Sequence, residues 1–225
     1  MMTTTTHELD SSATSAGTWP LRISGWAGVA GPILFTVVFG AQDVLRAGYD
    51  PVSEPISALA AGTHGWVQQL NFVAFGVLTL LFAVGLHAGI RPTRFGIAGP
   101  GLLFVSGVGL LLAAAFPLRE NPAGEVYDPG GHIVGGLLFF PVTAVALVVL
   151  AGRLARDPRW RDLTGYVRVT GILSVVGVAV IITLVLPDGG ALHDWAGLTQ
   201  RLLLLTLFFP CRVALGARLL RVARS

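Results

Sequence analysis

The sequence predicts an all-α polytopic membrane protein, a bundle of six transmembrane helices with both termini in the cytoplasm (N-in/C-in). Three observations carry that reading. Hydrophobic residues fill 53% of the 225 positions and the mean hydropathy is +0.74. Charged residues are only 12%, against roughly a quarter in soluble domains. The fifteen basic residues are all arginine and sit between apolar runs, not on one amphipathic face. This composition excludes a disordered chain, a collagen and a disulfide framework. The single Cys211 leaves no intrachain disulfide and no cysteine-based zinc site. A pI near 9.7 can mark a nucleic-acid partner, but arginines spaced between membrane runs have a membrane explanation first. No nucleic acid is expected.

Residues 1–20 are polar, rich in Ser and Thr, and hold no basic group. They lack the positive start and apolar centre of a secretory signal, so a disordered cytoplasmic tail is expected, with residues 21–225 forming the membrane domain. Trp19 and Trp26 suit an interface, where indoles are favoured. Six apolar stretches follow, at about 23–45, 65–90, 95–118, 131–151, 169–187 and 195–217. Each is long enough to cross a core of about 30 Å at 1.5 Å per residue. Without water to satisfy open backbone, helices are the form such runs take. A closed barrel would instead show alternation over about ten residues.

Arginine counting sets the orientation. With the N-terminus inside, Arg22, Arg91, Arg94, Arg153, Arg156, Arg159, Arg161, Arg168, Arg212, Arg218, Arg221 and Arg224 fall inside. Only Arg46, Arg119 and Arg201 lie towards the outside, a twelve-to-three asymmetry. The carboxylates lean the other way: eight of twelve are outer, among them Asp43, Asp50, Glu54, Asp128, Asp188 and Asp194. Pro32, Pro100, Pro141 and Pro210 fall inside apolar spans and are expected to kink them.

Candidate chemistry gathers at the outer end. In the connection 46–64, Asp50-Pro51 and Ser53-Glu54-Pro55 are helix-start signals, and Ile56, Leu59 and Ala60 suggest a short helix at the bundle mouth. Asp50, Glu54 and Ser57 either cap that helix or face an outer pocket. His64, Gln68 and Asn71 recur at helical spacing on one face of the second span. Such groups meet partners inside the bundle, either fixing the packing or lining the same pocket. Arg201 lies eleven residues from Arg212, about 16.5 Å along a helix axis. Arg212 can snorkel to the cytoplasm. Arg201 then needs a carboxylate (Asp43, Glu54 or Asp194) or a bound anion, since a guanidinium suits bidentate contact with either. His64, His132 and His193, with Asp50, Asp128, Asp188 and Asp194, form a conceivable zinc set. No spacing ties two of these histidines on one helix, so no metal ligand is assigned.

The run Gly48-Tyr49-Asp50-Pro51, then Ile56-Ser57-Ala58-Leu59, then Gly65-Trp66 and Asn71, resembles the opening of the bacterial six-helix membrane family catalogued as domain of unknown function 998. Phe116-Pro117 and His132 also resemble its pattern, and the resemblance spans about residues 25–220. It implies six helices and an actinobacterial-type plasma-membrane protein. It carries no activity across, so no catalytic role transfers to any residue.

Glycine-rich phosphate loops, nucleophile elbows and paired-histidine zinc motifs are absent from the sequence; no cofactor is expected and ATP-driven classes are excluded. Three function classes remain. The favoured one is an outward-facing polar vestibule that binds or moves a lipid or small amphiphile, with membrane lipids as surroundings. It requires Glu54, Asn71, His132 and Arg201 to converge on one cavity. The others are a noncatalytic scaffold and an intramembrane metal-dependent lipid hydrolase, so enzyme status and oligomeric state stay open.

Overall fold

The computed structural model describes residues 5–187 and 189–224, with side chains from residue 19 onward. Among these, six helices are long and apolar enough to cross a membrane: Trp19–Leu45, Gly65–Gly89, Ala98–Ala115, His132–Leu154, Arg161–Val185 and His193–Val222. The first span belongs to α1 (Thr5–Leu45), whose helical backbone already includes residues 5–20; residues 1–4 and Asp188 lie outside the described residues. The next three spans are α2 (Gly65–Gly89), α3 (Ala98–Ala115) and α4 (His132–Leu154). The fifth holds α5 (Thr164–Val180), and the sixth holds α6 (Ala196–Leu202) and α7 (Phe209–Val222). Successive helices pack side by side and α7 returns to α1, closing a ring. Six crossings bring both chain ends to the same end of the bundle.

Apolar surface is not what drives this interior together, because lipid tails are as apolar as leucine. Val37, Leu34, Ile133 and Val176 accordingly stay on the outside. Close backbone approach does more. Gly109 on α3 and Gly135 on α4 touch so tightly that a β-carbon on either would come within 2.7 Å of backbone atoms across the contact. At mid-depth the rings of Phe35, Phe75, Phe139, Phe208 and Phe209 meet at centroid separations of 4.8–6.1 Å, several edge to face. They form an aromatic layer across the bundle.

Two spans contain a π-helical turn, Ile181–Val185 in the fifth and Leu203–Phe208 in the sixth. Each precedes a proline, Pro187 and Pro210. A proline ring collides with the carbonyl four residues back, here Thr183 and Thr206, and each carbonyl lies inside the widened turn. The kink expected at Pro210 thus takes the form of a π-turn, and the fifth span has an unforeseen one ahead of Pro187.

The span limits differ from the apolar runs in one systematic way. The fifth begins at Arg161 instead of 169, and the sixth continues to Val222 instead of 217. Charged residues end an apolar run but not a helix, whose long arginines reach polar surroundings from the terminal turns. The α3–α4 connection adds an unforeseen hairpin, β1 (Arg119–Glu120) with β2 (Val126–Tyr127), antiparallel with Arg119 opposite Tyr127. At the end bearing the chain termini, the Arg153 guanidinium donates to the carbonyls of His87, Ile90, Arg91 and Gly96. It caps the α2 C-terminus. Arg212 departs from expectation: it does not snorkel but turns inward, only 9% exposed.

Candidate functional site

The connection 46–64 folds down into the mouth of the bundle. Asp50 opens its first turn. Its carboxylate accepts from the Ser53 hydroxyl at 2.6 Å and from the Val52 and Ser53 N–H groups, while the Asp50 N–H donates to the Glu54 carboxylate at 3.0 Å. This reciprocal pair closes a single turn, and the helix expected to start here begins later, after Pro55, with no side-chain cap. The Ser53 hydroxyl, then the Val52 N–H, hold the Asp50 carboxyl below its ordinary value. A short 3₁₀ helix, Ile56–Ala60, follows, with Ile56 and Leu59 almost wholly buried. Arg46 caps its far end, donating to the carbonyls of Leu59 at 3.0 Å and Ala61 at 2.9 Å.

Arg201 fastens this plug to the sixth span. Nη2 and Nε donate to the two Asp43 oxygens at 2.7 and 3.2 Å, and Nη2 also donates to the Tyr49 hydroxyl at 2.7 Å. Nη1 donates to the carbonyls of Pro51, Glu54 and Gly197 at 2.9–3.1 Å. Of the three candidate carboxylates, Asp43 is the ion-pair partner. Every guanidinium nitrogen is occupied, which leaves no donor free for an external anion. Tyr49 passes the contact on, donating to the carbonyls of Glu54 and Pro55, and burial pushes its phenol up to about 12. The loop runs directly over Gly197, where a β-carbon would lie 2.2 Å from the Glu54 carbonyl oxygen. Gln200 accepts from the Ile56 N–H at 2.7 Å.

Gln68 and Asn71 face α1. The Gln68 side-chain oxygen accepts from Gln42 at 2.9 Å and from Asn71 at 3.2 Å, and Asn71 also donates to the Phe35 carbonyl. His64 stands exposed at the N-terminus of α2. The four groups required to converge therefore separate, and the polar vestibule drawn from them does not form. Arg201 and Glu54 hold the plug, Asn71 joins α2 to α1, and His132 alone borders a large cavity.

That cavity, about 410 Å³, lies under the plug between α4, the end of the fifth span and the sixth. Phe139 and Phe140 meet Phe208 below it. Its polar groups are Ser53, Ser57, Asp128, His132, His193 and Gln200, and its remaining wall is mostly Phe, Leu, Ile and Val. Both π-turns contribute, through Ile181, Ile182, Val185 and Leu204, as widened turns at functional sites often do. His132 places Nδ1 3.1 Å from the carbonyls of Ala113 and Phe116, and His193 places Nδ1 3.0 Å from the Val185 carbonyl. These carbonyls call for a proton on Nδ1 of each ring, and the tautomer that carries it there has Nε2 as its acceptor. Asp128 caps α4, accepting from Ile133 and Gly130 at 2.9 Å. Slight desolvation alone would raise its carboxyl, but these backbone donors hold it below the ordinary value. Among the described residues no three His, Cys, Asp or Glu side chains are grouped to hold a metal ion; Asp188 of the conceivable zinc set is outside them.

A family model described as "Protein of unknown function (DUF998)" matches residues 29–214. The chain belongs to this family. The DUF998 match takes in the plug, the Arg201 cluster and the whole cavity wall. No curated protein and no solved structure matches the chain. Tyr49, Gln200 and Arg46 were absent from the sequence-derived site. Gln200 had a usable signal, an amide inside a membrane span; Arg46 and Tyr49 are recognisable only once the connection folds back.

Proposed function

We propose that this DUF998 protein binds a lipid or small amphiphile in the cavity beneath the 46–64 plug. One observation carries the proposal: a 410 Å³ space that is apolar over most of its wall, with its polar groups drawn from the plug and the adjoining helix ends. That volume lies in the range of ligand pockets. An amphiphile answers both parts, its chain against Phe139, Phe140 and Val178, its head at Ser57, His132, His193 and Gln200. The free Nε2 acceptors suit a hydroxyl or amine on the head group. Arg201 takes no part in recognition, because its donors are spent on the plug. In this reading the plug end faces outward across a plasma membrane and the termini face the cytoplasm. The twelve-to-three distribution of arginines supports that orientation.

Gly136 provides the test, since it lines the cavity and a β-carbon there would meet nothing within 4 Å. Native mass spectrometry of detergent-extracted protein is expected to show an amphiphile adduct on the wild type and its loss in Gly136→Trp, with the thermal midpoint little changed. A wild type without adduct, or an adduct that persists in Gly136→Trp, overturns the proposal.

A further inference from the structure

The large cavity is closed above and open at its side. Its roof is the plug, whose Ser53, Pro55 and Ile56 line it and whose backbone is held by Arg201 and Gln200 of the sixth span. At the side, Ile133 and Leu137 on α4 and Ile182 and Leu186 at the end of the fifth span border the cavity while staying 41–56% exposed. A side chain that meets the cavity and the exterior at once marks an edge, and both helices supply such edges. Packing accounts for the gap between them. The two spans touch at mid-depth, where a β-carbon on Gly171 would come within 2.8 Å of the Val148 nitrogen. Counting away from that contact along the antiparallel pair brings Gly136 about level with Ile182, and a β-carbon on Gly136 would meet nothing within 4 Å. Towards the plug the two helices are tied to different neighbours. Gly135 holds α4 against α3. The end of the fifth span is instead tied to the segment entering the sixth: the Leu192 N–H donates to the Leu184 carbonyl at 3.0 Å, and His193 Nδ1 lies 3.0 Å from the Val185 carbonyl.

We propose that the ligand is a bilayer lipid of the leaflet at the plug end, and that it enters sideways through this gap between α4 and the fifth span. The route rests on the amphiphile site proposed for this cavity. All four edge side chains are aliphatic, and Ile133, Leu137 and Ile182 lie within the membrane-spanning lengths, so the gap opens on acyl chains and not on water. A solute arriving from water has to lift a roof that two side chains of the sixth span hold down. A lipid has only to turn its head group inward, and its chain ends keep the apolar surroundings they already have. An open side also relaxes the limit on size. The 410 Å³ takes the head group and the first part of the chains, and the remainder stays in the bilayer.

The test places the full chain in vesicles of phosphatidylethanolamine and phosphatidylcholine with deuterated acyl chains, extracts it at intervals and follows its adduct by native mass spectrometry. These head groups carry no net charge, which suits a described lining that holds the Asp128 carboxylate and no arginine. In the wild type the copurified adduct is expected to give way to deuterated lipid. In the double variant Leu137→Trp with Ile182→Trp, whose rings lie across the gap, replacement is expected to slow about tenfold, which takes about 1.4 kcal/mol of added barrier. Val134→Trp with Val176→Trp adds the same bulk at exposed positions that do not line the cavity, and wild-type replacement is expected. Should the edge variant fail to fold, Leu137→Trp alone decides. A wild type without any adduct removes the site and the route together. An adduct that vesicle lipid does not replace, or replaces equally fast in wild type and edge variant, leaves the site standing and overturns the side entry.

Discussion

Arg201 in the sixth span and Asp43 near the end of α1 form a two-pronged ion pair, Nη2 2.7 Å from Oδ1 and Nε 3.2 Å from Oδ2. The pair joins the first and last membrane crossings at the end opposite the chain termini. Because the same guanidinium also holds two loop carbonyls, those of Pro51 and Glu54, and the Tyr49 hydroxyl, one side chain fixes the roof of the large cavity. Each partner stabilises a charge that the other would leave buried.

Arg201→Met removes the cation, strands Asp43 and leaves the Pro51 carbonyl without its donor. Breaking a buried pair from one side costs about 3–5 kcal/mol, so a marked fall in the thermal midpoint in detergent is expected. Arg201→Lys is expected to recover only part of it, since a single ammonium cannot reproduce the fork. A wild-type midpoint in Arg201→Met would show that the plug holds without its anchor.

Gly197→Ala tests the same roof from below. The added carbon would meet the Glu54 and Pro51 carbonyl oxygens at 2.2 and 2.5 Å, and backbone on both sides leaves little room to yield. The plug is expected to lift, seen as faster hydrogen exchange over residues 50–60 and a lower midpoint. Unchanged exchange there would mean that α6 shifts instead.

Helix count and the capped turn at Asp50 were legible because they depend on local chemistry: run length, proline, and a carboxylate beside backbone donors. The plug's burial was not. Asp50, Glu54 and Ser57 read either as caps of the short helix or as pocket groups, and Asp50 and Glu54 spend their carboxylates on their own turn. Arg201 read as anion anchor or ion pair, and Asp43, 158 residues away in sequence, is the group it reaches. His132 and Ser57 do border the cavity, but the Phe and Ile that give it its apolar wall look like any membrane face in sequence. Pairings across helices depend on rotation about each axis, which hydropathy does not set.

Tyr49 contributes to the alkaline limb of stability through its buried phenol. Burial raises its folded value to about 12 from 10.0. The contribution is complete below pH 10, where both states are protonated. It declines as pH rises from 10 to 12, because the unfolded chain ionises first. Tyr49→Phe is expected to flatten this limb of the midpoint-against-pH curve while lowering the neutral midpoint by the loss of the Arg201 contact. An identical alkaline limb in the variant would assign it to another group.

Asp157, at the opposite end of the bundle, contributes to the acid limb. Its carboxylate, 1% exposed, accepts two bonds from the Arg159 guanidinium, at 2.7 and 3.1 Å, one from the Arg159 N–H at 3.1 Å, and one from the Arg91 N–H at 2.9 Å. It thereby links the α4–α5 connection to the α2–α3 connection. The Arg159 hydrogen bonds, against the opposing effect of burial, hold the carboxyl well below its ordinary value of 3.8. The sign follows: stability from this group is complete above pH 4–5, where both states are ionised, and is lost as pH falls towards the lower folded value, because the unfolded carboxyl takes its proton first. Asp157→Asn keeps an acceptor for Arg91 but loses the charge. With Arg159 partly exposed, a loss of about 2 kcal/mol at neutral pH is expected. The difference from wild type should shrink as pH is lowered through 4 towards 2, measured by thermal melting in detergent. A difference constant with pH would mean that shape, not charge, accounts for the effect of the substitution.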